Sequence, residues 1–112
     1  MEQQSDISQF KRIDLRTGKV ISAEYLKDAK QPAYVLQIDF GYLGVLKTSA
    51  QLTANYTPDQ LPGKQVIAMV NLPEKQIGGL MSQCLVLGVD DGNGGVVLLT
   101  TDSAVENGKR IY

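Results

Sequence analysis

The sequence predicts an all-β fold: a small closed barrel of five strands, with a short N-terminal helix and a short helical connection between strands 3 and 4. Three observations point there. Tyr34, Leu36, Ile38 and Phe40 fall on one face of their segment while Gln37 and Asp39 fall on the other, the two-residue period of a half-buried strand. Other apolar runs of strand length recur along the chain between turn residues such as Gly41-Tyr42-Leu43-Gly44, Pro62-Gly63 and Asp91-Gly92-Asn93-Gly94-Gly95. Finally, a chain of 112 residues is one domain's worth, burying roughly two-thirds of its unfolded surface around one core without needing disulfides.

From the N-terminus, residues 5–12 read as a helix, because Asp6 can cap the first turn and Gln9, three residues on, completes a capping box. Ile7 and Phe10 then share a face expected to pack down on the rest of the domain. Arg16 to Leu26 reads as the first strand, and Pro32 marks the polar link Lys27–Pro32 as a connection. Tyr34–Phe40 is the second strand, joined through a hairpin turn to Val45–Thr48. Ser49–Tyr56 is a polar link of one or two helical turns. Thr57-Pro58-Asp59-Gln60-Leu61 forms another capped turn, with Pro at the first helical position and Gln at the third.

Gln65–Asn71 is an almost unbroken apolar strand. Cys84–Val89 and Val96–Leu99 read as further strands, and Arg110–Tyr112 as a last short one. There is no repeat, low-complexity segment or composition shift, so residues 1–112 form a single domain, with residues 1–7 a flexible or helical lead-in. A β-sandwich is the structural rival.

Composition narrows the function. The chain is 43% hydrophobic and 21% charged, and nothing approaches the ~20 apolar residues of a membrane span, so no membrane insertion is expected. The N-terminus Met1–Asp6 is polar and acidic, unlike a secretory signal, and Cys84 is the only cysteine; together these fit a cytoplasmic location. With no His, the commonest general base, the His-based nucleophile pairs and most zinc sites are missing. Cys84 precedes the apolar run Leu85-Val86-Leu87 and reads as a small core residue. No catalytic residue, metal or cofactor is therefore expected. A net charge of −1 also argues against a dedicated nucleic-acid binder, which usually draws its affinity from a basic excess.

Three segments stand out together. The first is Ile13-Asp14-Leu15-Arg16-Thr17-Gly18-Lys19-Val20. The second is Lys47-Thr48-Ser49-Ala50-Gln51-Leu52-Thr53, with Tyr56, Pro58, Leu61, Gly63 and Lys64 after it. The third runs from Asn71-Leu72-Pro73-Glu74-Lys75-Gln76-Ile77-Gly78-Gly79 into Ser82-Gln83-Cys84-Leu85-Val86-Leu87-Gly88. In order and spacing they resemble the tRNA-binding domain family, which includes modules appended to methionyl- and phenylalanyl-tRNA synthetases. The Ser49-Ala50-Gln51 stretch and the length resemble its stand-alone CsaA branch of export-related chaperones.

The resemblance implies an OB-fold barrel, a homodimer, and a surface that binds unfolded or precursor polypeptides, or alternatively structured RNA such as tRNA. The chain departs from the tRNA-binding pattern in lacking a basic residue at Gly78 and in carrying Glu74 within the presumed binding loop, which favours the peptide reading. Leu85 stands where many members have Met.

Position in the chain suggests the candidate binding residues. Pro73 ends a strand and exposes the loop after Asn71, where Lys75 and Gln76 can reach phosphate or peptide backbone, while Ser82 and Gln83 can hydrogen-bond outward. Alternatively, Asn71 and Ser82 only satisfy backbone groups of the turn. Arg16 and Lys19 start the first strand as ligand contacts or as a solvated, aggregation-resistant edge. Lys47, Thr48, Ser49 and Gln51 place several donors at the exit of the third strand. Tyr34 and Phe40 read as core, leaving Tyr42 and Tyr56 as candidates for an exposed stacking platform.

Overall fold

A computed structural model describes residues 1–77 and 80–112, and for residues 75–77 the backbone alone. The alternating segment sits at the centre of the fold. Tyr34, Leu36, Ile38 and Phe40 are each at most 1% exposed, and Val20, Leu61, Val66 and Ala68 close around them. They belong to a five-stranded antiparallel sheet made of β1 (Leu15–Tyr25), β2 (Tyr34–Asp39), β3 (Val45–Ala50), β4 (Gln65–Met69) and β7 (Leu85–Val86). The strand order is β3-β2-β1-β4-β7. β1 serves two neighbours: Leu15–Lys19 pair with β4 and Lys19–Tyr25 pair with β2, with a bulge between Val20 and Ser22. A bulge sharpens local twist, and here it lets one strand wrap around the core.

The strand pattern also explains Gly18. A Cβ there would stand 2.7 Å from Ile38 Cγ2 and from Phe40 Cε1, so the glycine admits the Phe40 ring against the strand. Next to it, Thr17 is buried with its hydroxyl donating to Glu106 O at 2.8 Å and accepting from Lys109 N at 3.0 Å. The C-terminal segment is thereby strapped along β1.

The sheet curls until its two edges meet, so the architecture is the OB-type barrel and not the sandwich. The meeting is made by β6 (Leu80–Ser82) and the residues after it. Gln83 N donates to Lys47 O at 2.8 Å, Gln83 Oε1 accepts from Lys47 N at 2.8 Å, and Thr48 Oγ1 donates to Cys84 O at 2.7 Å. The helical connection between β3 and β4 is a single 3-10 turn, Pro58–Gln60, with Gln60 Oε1 accepting from Thr57 N at 2.9 Å.

Four sequence expectations need correction. The N-terminal helix α1 (Ile7–Lys11) has its Asp6–Gln9 capping box, yet it buries no residue. Ile7 and Phe10 remain 67% and 37% exposed. The segment after Pro73, read as a loop, contains β5 (Lys75–Ile77) paired with β6, which returns to close the barrel. The run Cys84–Val89 is divided at Leu87 into β7 and β8 (Gly88–Asp90), the latter pairing, among the described residues, with β9 (Val96–Leu98). Leu87 bridges both sheets, donating from N to Ile67 O at 2.9 Å and accepting at O from Leu99 N at 3.1 Å. Arg110–Tyr112 forms only an isolated bridge, Arg110 with Arg16.

Candidate functional site

The sequence-derived candidates fall into two groups. Lys47, Thr48, Ser49, Ser82 and Gln83 converge where the sheet edges meet. Ser82 accepts from Ser49 N at 3.2 Å, and its register partner in β5 is Lys75, so the backbone of Lys75 lies on the same wall as Ser49. The side chains of Lys75 and Gln76, and residues Gly78 and Gly79, lie outside the described residues.

Within this group the side chains divide by direction. Lys47 is exposed, facing out beside its register partner Gln37. Thr48 and Ser82 are buried, at 1% and 8% exposure, with hydroxyls committed to Cys84 O and to Ser49 N. These two therefore hold the seam together and offer nothing to a ligand from solvent, which corrects the expectation for Thr48. Period-2 alternation carries the reason: Thr48 lies opposite Leu36, on the core side of β3.

Arg16 and Asn71 form the second group, meeting at Asp14. Arg16 Nε binds Asp14 Oδ1 at 2.7 Å, while Nη1 donates to Tyr42 OH and to Gly108 O, each at 3.0 Å. The bond to Asp14 is the main reason the guanidinium pKa is raised. Asn71 accepts from Asp14 N at 2.9 Å and donates to Arg12 O at 2.8 Å, so both ends of its amide are used to hold the segment entering β1. Lys19 stands apart from both groups, exposed on β1 opposite Asp39.

Of the aromatic candidates, Tyr42 is 79% exposed beneath the Arg16 guanidinium, 6.0 Å from its ring centre. Tyr56 is half-buried against the core, and its hydroxyl accepts from Leu98 N at 3.0 Å. Tyr25, which the sequence does not single out, is 66% exposed and stands edge-on to Tyr34 with ring centres 5.0 Å apart. It ends β1 just before a polar link, and that position is its only signal.

Beyond the seam the two edges diverge and leave a groove of about 800 Å³. One wall is the end of β3 and the residues after it, Ser49 to Leu52; the other is Leu85–Gly88 with Val96 and Leu98. The link between β1 and β2, including Asp28, Lys30 and Gln31, forms the rim. Leu85 is 49% exposed here.

The β3 wall also offers backbone. Lys47 and Ser49 turn their N–H groups to the hairpin side, away from β2, and Gln51 continues that edge two residues on. Among the described residues neither the N–H nor the C=O of Gln51 has a hydrogen-bond partner. Leu52 N donates to Ala50 O at 3.0 Å, an inverse γ-turn that holds Gln51 in place. The sequence suggests Gln51 as a side-chain donor; the structure adds its main chain and the Leu85–Gly88 wall, which reads in the sequence only as an apolar strand.

Cys84 is buried below the seam. Burial pushes its thiol up to about 12 against a weaker lowering by Thr48, so it stays protonated at neutral pH. Among the described residues no group of three or more His, Cys, Asp or Glu stands where it could hold a metal ion, and no helix is long and apolar enough to cross a membrane.

This barrel defines a class, and the chain belongs to the tRNA-binding domain family: the family model described as "Putative tRNA binding domain" matches residues 15–110. Among solved structures it is similar to the chaperone CsaA from Bacillus anthracis str. Ames, with 43% identity and a TM-score of 0.93 over 98% of this chain and all (100%) of that one. It is also similar to the CsaA chaperone protein from Picrophilus torridus, with 42% identity and a TM-score of 0.90 over 97% of this chain and 100% of that one.

A curated relative is the methionine–tRNA ligase of Methanosarcina mazei, 33% identical over 106 residues, which are 95% of this chain and 15% of that protein. The chain spans only 14% to 17% of the length of such ligases.

Proposed function

We propose that this protein is a non-enzymatic, chaperone-like binding module that holds unfolded or precursor polypeptide in extended form, as a homodimer in the cytoplasm, in the service of protein export. The observation that carries this reading is the groove between the end of β3 and Leu85–Gly88, apolar on its walls and bordered by the free main-chain groups of Gln51. An extended client can add to that edge through its own backbone while its alternate side chains enter the groove, which recognises polypeptide without reading a sequence. Each aliphatic side chain buried contributes roughly 1.5–3 kcal/mol, and association costs offset much of the sum, so two or three of them give a weak, reversible hold suited to release.

Gln51, Ser49 and Leu85 are the residues assigned to contact in this reading, with Lys47, Gln83 and the backbone of Lys75 and Gln76 at the seam next to the groove. The homodimer is supported by the uncovered surface formed by Ile7, Phe10, Ile111 and Tyr112, which line a hollow of about 460 Å³ between α1 and the C-terminus.

Structured RNA is the second reading. It is favoured by the family match and by the exposed amines of Lys19 and Lys47 on the outer barrel face. Both readings are tested by measuring, across one salt series, suppression of aggregation of a denatured client and retention of bulk tRNA. Client protection that persists as salt rises supports polypeptide binding. Absence of protection at equimolar dimer, with tRNA affinity falling steeply as salt rises, would replace it with RNA binding.

A further inference from the structure

The chain has four asparagines, Asn55, Asn71, Asn93 and Asn107, of which Asn93 and Asn107 precede glycine. An asparagine with glycine after it is prone to ring closure, because glycine leaves its own nitrogen unshielded and its backbone free to rotate. Whether the reaction runs in a folded protein depends on whether that nitrogen is free and whether there is room for the ring.

The two Asn-Gly pairs differ in both respects. Asn93 and Gly94 are exposed at the tip of the turn between β8 and β9. Among the described residues the Gly94 N–H has no hydrogen-bond partner, and apart from Gly94 and its chain neighbours no atom lies within 4 Å of where a Gly94 Cβ would stand. Gly108, in contrast, is buried; its N–H donates to Thr17 O at 2.7 Å, and a Cβ there would meet Phe40 O at 2.5 Å.

The other two asparagines are held. Asn55 precedes Tyr56 and donates through Nδ2 to Asp91 Oδ2 at 2.9 Å and to Val96 O at 3.0 Å. Asn71 precedes Leu72, with both ends of its amide bonded.

We propose that Asn93 is a site of spontaneous deamidation and that the fold spares the other three asparagines. The Gly94 amide nitrogen forms a bond to Asn93 Cγ, the Cγ–Nδ2 bond breaks, and ammonia leaves carrying the Gly94 amide proton. Water then opens the cyclic imide at one of its two carbonyl–nitrogen bonds, hydroxyl adding to the carbon and hydrogen to the nitrogen. The product is aspartate when the side-chain carbonyl is attacked, and isoaspartate when the main-chain carbonyl is.

The consequence is local and lies next to the groove. Asp91 Oδ1 accepts from Asn93 N at 2.7 Å and from Gly95 N at 3.0 Å, and Oδ2 accepts from Asn55. These bonds, Asn55 first, lower the Asp91 pKa. Asn55 Nδ2, which holds Asp91, also donates to the carbonyl of Val96, a groove residue, at 3.0 Å. Deamidation adds a negative charge beside Asp90 and Asp91, and isoaspartate inserts a methylene into the main chain between Asn93 Cα and Gly94 N, within the stretch between the two N–H groups that bond Asp91.

The test is peptide mapping by mass spectrometry after incubation at mildly alkaline pH, on the folded protein and on the same chain in concentrated urea. Incubation continues until the urea sample has converted at both Asn-Gly pairs. In the folded protein Asn93 is expected to convert faster than Asn107 by on the order of tenfold or more, since Asn107 must first open locally. Ammonia release from the folded protein should disappear in Asn93→Gln. Equal conversion of Asn93 and Asn107 in the folded protein, or an intact Asn93 there when the urea sample is fully converted, would overturn the proposal.

Discussion

The backbone N–H of Ser49 donates to the hydroxyl of Ser82 at 3.2 Å, linking the exit of β3 to the last residue of β6. Together with the paired bonds between Lys47 and Gln83, it closes the barrel next to the groove. The strength of this short seam governs how well the groove beyond it keeps its shape.

Gln83→Ala tests the seam. It removes the acceptor for Lys47 N and leaves that donor to solvent, for an expected loss of about 0.5–1.5 kcal/mol. Urea unfolding measures it, and an unchanged midpoint would mean that the edges are held by other contacts.

Gly18→Ala should cost more, about 1–3 kcal/mol, because the added Cβ stands 2.7 Å from both Ile38 and Phe40 in a packed core. A fold as stable as the parent, measured the same way, would show that β1 can shift away from β2 at no cost.

Asn71→Ala separates a clamp from a contact. With both ends of its amide spent on Asp14 N and Arg12 O, Asn71 should affect the local structure and leave client affinity alone. Hydrogen exchange at Asp14 is expected to rise. A fall in client affinity with exchange unchanged would return Asn71 to the binding surface.

Cys84 sets a pH dependence. The unfolded thiol loses its proton near 9.0, whereas the buried native thiol keeps it until about 12. Between these values the native state binds more protons, so the stability due to this group is complete below the lower value and declines as pH rises through the window. The stability gap between the parent and Cys84→Ala should therefore narrow above pH 9.0. A constant gap would mean that the thiol is not held protonated by burial.

Local periodicity decides which parts of the fold are legible in the sequence. The core face Tyr34-Leu36-Ile38-Phe40 and both capping boxes can be read directly, since each depends on residues within one segment. The β5–β6 hairpin cannot, because its three-residue strands carry no alternation long enough to register. The break at Leu87 is hidden for another reason: its N–H and C=O go to two different sheets, a tertiary event inside a continuous apolar run.

At the candidate site, alternation could have assigned Thr48 to the core, since Lys47 and Ser49 flank it as outward positions. The free main chain of Gln51 has no sequence signal. It arises because β3 ends at Ala50 and the last bond from its edge to β6 is the one from Ser49 N to Ser82.

The groove is tested most directly by following every backbone amide by NMR while an unfolded polypeptide is titrated into the protein. Shifts are expected at Gln51, Leu52 and Leu85 to Gly88. They should be lost in Gln51→Pro, which removes the free N–H at a γ-turn position where proline fits and should leave the fold intact. Client-induced shifts confined to Lys19, Gln37 and Lys47 on the outer face, with the groove amides unmoved, would contradict it.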